Sequence, residues 1–231
     1  MQAQLQQLMD KGSLWLGRSQ GLAAEQNAAL LVTTGQPVLD QALGGGWAAA
    51  RVHELQCAQW FSGELALLAP AIARATACGR PVFWLAPPAI PYPPALAALH
   101  QQQAAAAQHI VVHPHTPADA LWSAETILHS GQVAVLLLWA QHLTATEVRR
   151  LHLAAAATDA WVFVLTGEQN EEARSYATRL RVHLQPPSVS SGGVLAQVQW
   201  QLLKRQGGWP QRLPKQPLPR WRAAAGVELA E

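Results

Sequence analysis

The sequence predicts an α/β chain, a mostly parallel sheet flanked by helices with an antiparallel extension at its C-terminal end. Three observations carry this. From residue 51 onward, apolar strand-like runs alternate with helix-like stretches, the pattern of parallel strands joined by crossover helices. Two of the runs, VAVLLLW and WVFVLT, have no polar alternation, as strands covered on both faces require. Further on, RLRVHLQ and VLAQVQWQLL do alternate and are separated only by PPSVSSGG, so they read as an antiparallel pair on the sheet edge.

Taken in order, QAQLQQLMD predicts a short helix with Leu5, Leu8 and Met9 on one face. The following stretch to residue 33 has no single period and reads as an arm. PVLDQALGGGW predicts a short helix, with Pro37 in its first turn and Gly44, Gly45 and Gly46 as its exit. RVHELQ is a strand, GELALLAPAIARATACG a helix stopped at Gly79, and PVFWLA a strand. The proline-dense PPAIPYPP admits neither helix nor central strand. ALAALHQQQAAAAQ predicts an alanine-rich helix, HIVVH a strand, and TPADALWSAETILHSG a helix capped by Thr116. VAVLLLW, TATEVRRLHLAAAATD and WVFVLT continue as strand, helix and strand. The chain therefore divides into an N-terminal helix and arm (1–33), an α/β core (34–203) and a basic tail containing proline and tryptophan (204–231), read as extended or disordered on its own.

Composition narrows the function classes. Half of the 231 residues are apolar and 13% are charged, which suits one folded core rather than a disordered chain. No apolar run reaches the roughly 18 residues needed to span a membrane. The start lacks a basic segment followed by an apolar one, so no secretory leader is predicted. With only Cys57 and Cys78 there is no disulfide framework, and a reduced, cytoplasmic setting is expected. The net charge of +2 hides a split: residues 1–172 hold seven Lys/Arg against twelve Asp/Glu, and residues 173–231 hold nine against two. A basic C-terminal surface predicts an acidic partner or nucleic acid.

Residues 34–56, TGQPVLDQALGGGWAAARVHELQ, resemble the entry to the RecA/RadA recombinase core. There a Leu-Asp-x-x-Leu-Gly helix and a glycine turn precede the strand before the phosphate loop. Leu39, Asp40, Leu43, Gly44 and Gly46 match that pattern, and residues 51–55 take the strand's place. The resemblance implies a RecA-like sheet of the P-loop NTPase type. The stretches GELALLAPAIARATACGRPVFWLAPP, HTPADALWSAETILHSGQVAVLLLW and VQWQLLKRQGGWP are similar to the ImuA family, RecA-like accessory proteins of an SOS-induced mutagenic translesion-synthesis cassette. Residues 63–166 also resemble the SulA division inhibitors, which lack the Leu-Asp-x-x-Leu-Gly entry and the long basic end.

The ImuA likeness implies a scaffold that recruits an inactive Y-family polymerase-like protein and, through it, an error-prone replicative-type polymerase, with RecA as a further contact. The SulA likeness implies instead a protein that binds the tubulin-like division GTPase.

The resemblance puts CAQWFSGELALL at the phosphate loop. A working loop reads G-x-x-x-x-G-K-[ST], its Lys on the β and γ phosphates and its hydroxyl on magnesium. Aligned on Gly63, this chain has Ala58 at the first glycine, Glu64 at the lysine and Leu65 at the hydroxyl. A Lys–phosphate pair at about 4 Å is worth roughly 4 kcal/mol of gross attraction at an effective dielectric near 20, and Glu64 reverses its sign. The bland reading is a strand-to-helix connection in which Ser62 caps the helix and Glu64 favours its N-terminus. Trp139 stands where such a sheet carries a magnesium-binding Asp, and the strand expected to end in a catalytic Glu runs into Pro87 and Pro88. The expectation is a chain with no catalytic residues, no cofactor and no metal.

His109, His113 and His115 share one face of an extended segment, but Pro114 interrupts it and no Cys or carboxylate is near in sequence. Ser62, Ser123 and Ser130 lie in no G-x-S-x-G elbow. The basic end is more informative. Lys204, Arg205, Arg212, Lys215, Arg220 and Arg222 accompany Trp209 and Trp221. Such interleaving suits single-stranded DNA and equally an acidic protein groove; a solvated tail is the third reading. As a contact arm, its removal is expected to leave the fold intact. Trp84, Trp122, Trp139, Trp161 and Trp200 are expected in or beside the core, and Trp15, Trp47 and Trp60 near exposed loops. The proline loop is expected to present Tyr92 on an apolar docking patch.

Overall fold

The computed structural model describes residues 31–97, 108–169, 174–190 and 193–219. The N-terminal helix, most of the arm, the greater part of the alanine-rich helix and residues 220–231 lie outside the described residues.

The sheet is mixed and mostly parallel. Its strands are β3 (Arg51–Cys57), β4 (Val82–Leu85), β5 (His109–Val112), β6 (Val135–Trp139), β7 (Trp161–Thr166), β8 (Thr178–Ser190), β9 (Gly193–Arg205), β10 (Gln211–Arg212) and β11 (Gln216–Pro217). Their order is β10-β9-β8-β3-β7-β6-β4-β5, with β11 also paired to β9. The strands from β8 to β5 run parallel, and β9 returns antiparallel on β8. Every residue of β6 and β7 is buried, as their unbroken apolar runs predict.

Helices cover both faces. One side carries α1 (Pro37–Leu43) and α2 (Ala69–Ala77), whose Leu39, Leu43, Ala71 and Ile72 pack on Leu55, Leu137, Phe163 and Trp200. The short helix α3 (Pro93–Ala97) begins on the last two prolines of PPAIPYPP, so that stretch does admit a helix start, proline being tolerated in a first turn. The other side carries α4 (Pro117–His129) and α5 (Ala145–Ala156), whose Leu121, Leu128, Val148 and Leu151 cover Val52, Leu136, Val162 and Val164. Thr116 caps α4 as expected, in a reciprocal box with Asp119, and Thr144 and Glu147 repeat the device on α5.

The Leu-Asp-x-x-Leu-Gly stretch has a clear mechanical role. Asp40 accepts the Thr34 amide at 2.7 Å and the Thr33 hydroxyl, which fixes the chain entering α1. Gly44 ends α1 in the left-handed region at φ 77°. At Gly46, φ is 125° and a Cβ would lie 2.1 Å from the Val32 carbonyl oxygen. That close approach lets β1 (Leu31–Val32) pair with β2 (Trp47–Ala48), so residues assigned to the arm join the core.

Three expectations need correction. The helix over 63–79 is shorter: a 3-10 turn at Leu65–Leu67 comes first, and α2 begins at Ala69 with Pro70 in its first turn. Trp47 is fully buried, whereas Trp122 on α4 is 66% exposed. Trp47 is held because its indole donates to the Leu67 carbonyl and its own carbonyl accepts from the Trp161 indole, both at 3.0 Å.

The third correction concerns 204–231 as a separable tail. Lys204 and Arg205 end β9, and β10 and β11 fold back on that strand. Leu213 is buried, and its amide donates to the Trp200 carbonyl at 2.9 Å. A cut at 204 would remove part of the sheet.

Buried His53 on β3 donates through Nε2 to the Ala48 carbonyl oxygen at 2.8 Å and packs against Trp47 and Phe163. Since a carbonyl only accepts, Nε2 carries the hydrogen. Burial pulls the His53 pKa down to about 4 from 6.5. Between those values the unfolded chain binds a proton that the folded chain does not, so stability falls as pH drops. Lowering pH from 7 to 5 is expected to cost about 2 kcal/mol through His53. His152, lowered by burial and by Arg51 and Lys204, acts in the same direction. Urea unfolding at the two pH values checks this, and His53→Gln is expected to remove the His53 share of the loss.

Candidate functional site

Strands β3, β4, β6 and β7 run parallel, so Cys57, Leu85, Trp139 and Thr166 end at one edge of the sheet. Open α/β sheets place their ligand crevices at this edge. Here it is built from the loop after β3, the proline loop after β4 and the end of β6.

The loop after β3 is closed by its own carboxylate. Phe61 takes the left-handed region at φ 65°, and Gly63 follows at φ 93°. That turn brings fully buried Glu64 back over the loop. Its Oε1 accepts the Phe61 amide at 2.8 Å, and its Oε2 accepts the Ser62 hydroxyl at 3.3 Å. Ser62 therefore serves Glu64 rather than capping a helix, and no side chain caps the turn at Leu65–Leu67. The Phe61 amide is thereby engaged within its own loop. Ala58 is exposed, and half-buried Leu65 packs on the core. Burial, reinforced by Glu64, pushes the Cys57 thiol above its ordinary pKa, which keeps it protonated and unreactive.

Beside this loop lies an apolar pocket of about 320 Å³. Its base is the stacked pair of Trp84 and Trp139, with ring centroids 5.9 Å apart and planes at 16°. Trp84 is oriented by donating its indole hydrogen to His109 Nδ1 at 3.1 Å. The rim carries Phe61, Ile90 and Tyr92, exposed by 62%, 74% and 69%. Those are three of the seven large apolar side chains exposed among the described residues. Their convergence on one pocket marks a contact surface rather than scattered exposure. Tyr92 is thus displayed on the proline loop as the sequence predicts, while Phe61 joins it only through the left-handed turn.

The basic residues do not act as one set. Lys204 Nζ donates to the Arg174 carbonyl at 2.6 Å, and Arg205 Nη1 donates to the Ala42 carbonyl at 3.0 Å. The Arg205 guanidinium lies so close to Gly44 that a Cβ there would sit 2.2 Å from Nη2. These two cations tie β9 to its neighbours. Arg212 and Lys215 are exposed, and Trp209 is 87% exposed at the turn between β9 and β10. Arg220, Trp221 and Arg222 lie outside the described residues.

A buried polar cluster crosses β3 and β8. Arg179 Nε meets Glu54 at 2.6 Å, Gln56 donates to the same Glu54 oxygen at 3.0 Å, and Arg181 Nε donates to Gln56 at 3.0 Å. Arg174 reaches His142 Nε2 at 2.9 Å and also bonds Gln169. Burial, with Glu54 nearby, raises the Tyr176 hydroxyl above its ordinary pKa. Sequence reading missed this cluster, although period-two spacing in HELQ and RLRVH already puts Glu54 with Gln56, and Arg179 with Arg181, on shared strand faces. Among the described residues, no three metal-ligating side chains converge. Ser62 and Ser130 bond to Glu64 and to the Ile127 carbonyl.

No protein-family model matches this chain, and no curated protein matches its sequence.

Replacing Glu64 tests its part in shaping the loop. Glu64→Ala leaves the Phe61 amide and the Ser62 hydroxyl without their acceptor and is expected to cost about 1–3 kcal/mol. Glu64→Gln retains an acceptor oxygen and is expected to cost less, as read from chemical denaturation at pH 7.

Proposed function

We propose that this chain is a non-catalytic accessory protein of SOS-induced mutagenic translesion DNA synthesis, acting in the cytoplasm as a scaffold on a RecA-like sheet. The observation that carries the reading is the change of chemistry at the sheet's C-terminal edge. Where a nucleotide-binding relative would hold phosphate and magnesium, this chain has a buried carboxylate, a tryptophan stack and an apolar rim.

Strand order supports the RecA-like part of the reading. β7 lies between β3 and β6, which separates the phosphate-loop strand from the strand that would carry the magnesium ligand. β6 ends in Trp139 instead of Asp. An apolar pocket with exposed aromatic and aliphatic anchors suits a protein partner, because such residues contribute most binding energy when water is excluded around them. By the resemblance to the ImuA family, the partners are the inactive Y-family polymerase-like protein and the error-prone replicative-type polymerase, with RecA as a further contact. Trp209, Arg212 and Lys215 form a separate basic and aromatic contact for an acidic groove or single-stranded DNA.

The test is co-purification of the tagged full chain from DNA-damaged cells, with bound proteins identified by mass spectrometry. Recovery of polymerase-type partners is expected, with about a tenfold loss for Ile90→Asp, which puts a charge on the exposed pocket rim. Recovery of the tubulin-like division GTPase alone would replace this reading with the SulA-like inhibitor. Titration with magnesium and ATP is expected to show no saturable binding at micromolar concentrations, and saturation would overturn the non-catalytic assignment.

A further inference from the structure

The described residues end at the pocket. β11 pairs with β9, the Leu218 amide donates to the Ala196 carbonyl at 2.9 Å, and the Leu218 side chain packs on the core. Pro219 then lines the pocket itself. Both residues press on the loop after β3: a Cβ at Gly63 would lie 2.9 Å from Leu218 Cδ1 and 3.2 Å from Pro219 Cγ. The residues that follow in sequence are Arg220, Trp221 and Arg222.

We propose that the pocket accepts this chain's own Trp221, so that the C-terminal segment competes with any partner for the Trp84–Trp139 base and the rim of Phe61, Ile90 and Tyr92. Three arguments converge. The first is reach: Trp221 is two residues beyond Pro219, a backbone span of at most about 7 Å. The second is chemistry. The pocket is lined almost wholly by apolar and aromatic groups, and its one acidic side chain, Glu64, is buried and engaged with its own loop. An indole fits that environment, and its N–H can remain toward solvent at the open mouth. The third is tethering. A segment anchored at the rim has an effective concentration on the order of millimolar, so a single weak aromatic anchor suffices to occupy the site.

The inference rests on the pocket being a docking surface but not on the identity of the partner. It makes Trp221 a self-ligand that a stronger partner must displace, and removing it makes the pocket more available.

Hydrogen exchange on the full chain tests it. Trp221→Ala is expected to speed exchange at the amides of Ala89, Ile90 and Tyr92 and to leave those of β3, β6 and β7 unchanged. A labelled synthetic peptide spanning residues 217–225 is then expected to bind the Trp221→Ala chain about tenfold more tightly than the wild-type chain. Adding Ile90→Asp, at an exposed site that leaves the core untouched, is expected to abolish that binding. Equal exchange in the two chains would overturn the proposal, as would equal peptide affinity or peptide binding that survives Ile90→Asp. Both measurements omit polymerases and nucleic acid, so their failure and a failure to recover translesion partners are separate results.

Discussion

The buried ion pair between Glu54 and Arg179 is the constraint on which the rest of the arrangement depends. Glu54 lies in the middle of β3, between β7 and β8, with no exposure to solvent. A buried carboxylate is costly unless charged and hydrogen-bonding partners meet it. Arg179 stands opposite it in the parallel register of β3 and β8, with its Nε 2.6 Å away, and Gln56 supplies a second donor. A one-residue slip of β8 would turn Arg179 to the other face. The pair therefore selects one register for β8. Through the antiparallel ladder it also sets β9, and then β10 and β11.

That register has a consequence at the far edge of the sheet. With β9 set, β11 delivers Leu218 and Pro219 onto Gly63. The C-terminal part of the chain thus becomes a wall of the pocket formed by the loops after β3 and β4. Lys204 and Arg205 secure the same return by bonding to Arg174 and Ala42. Two of the basic residues that look like a contact set in sequence are thereby structural ties. Burial and Arg179 lower the Lys204 pKa, in keeping with its place beside this cluster.

The pocket takes its apolar character from how its own loops are packed. A phosphate site needs unengaged amide donors, a cation and room for a hydrated ion. In this chain Glu64 takes the Phe61 amide, Cys57 and Leu65 pack into the core, and Trp139 stacks on Trp84. Each of these arrangements is unfavourable for an anion, and together they leave an apolar concavity. The left-handed Phe61 adds to this by turning a large ring outward to the rim.

The sequence by itself determined the α/β class, the positions of β3 through β7, the cap at Thr116 and the acidic and apolar identities of Glu64 and Leu65. These are properties of local pattern: unbroken apolar runs, capping spacing and single side-chain identities act over a few residues. Tertiary structure decided what depends on residues distant in the chain. Trp47 is buried because Leu67 and Trp161 come to meet its indole and its carbonyl. Pro70 sits in the first turn of a helix that starts later than its apolar run suggests. Glu54 finds Arg179 across 125 positions, and Pro219 meets Gly63 only after two strand reversals. Periodicity registers which face a side chain takes, but pairing between strands decides what it meets there.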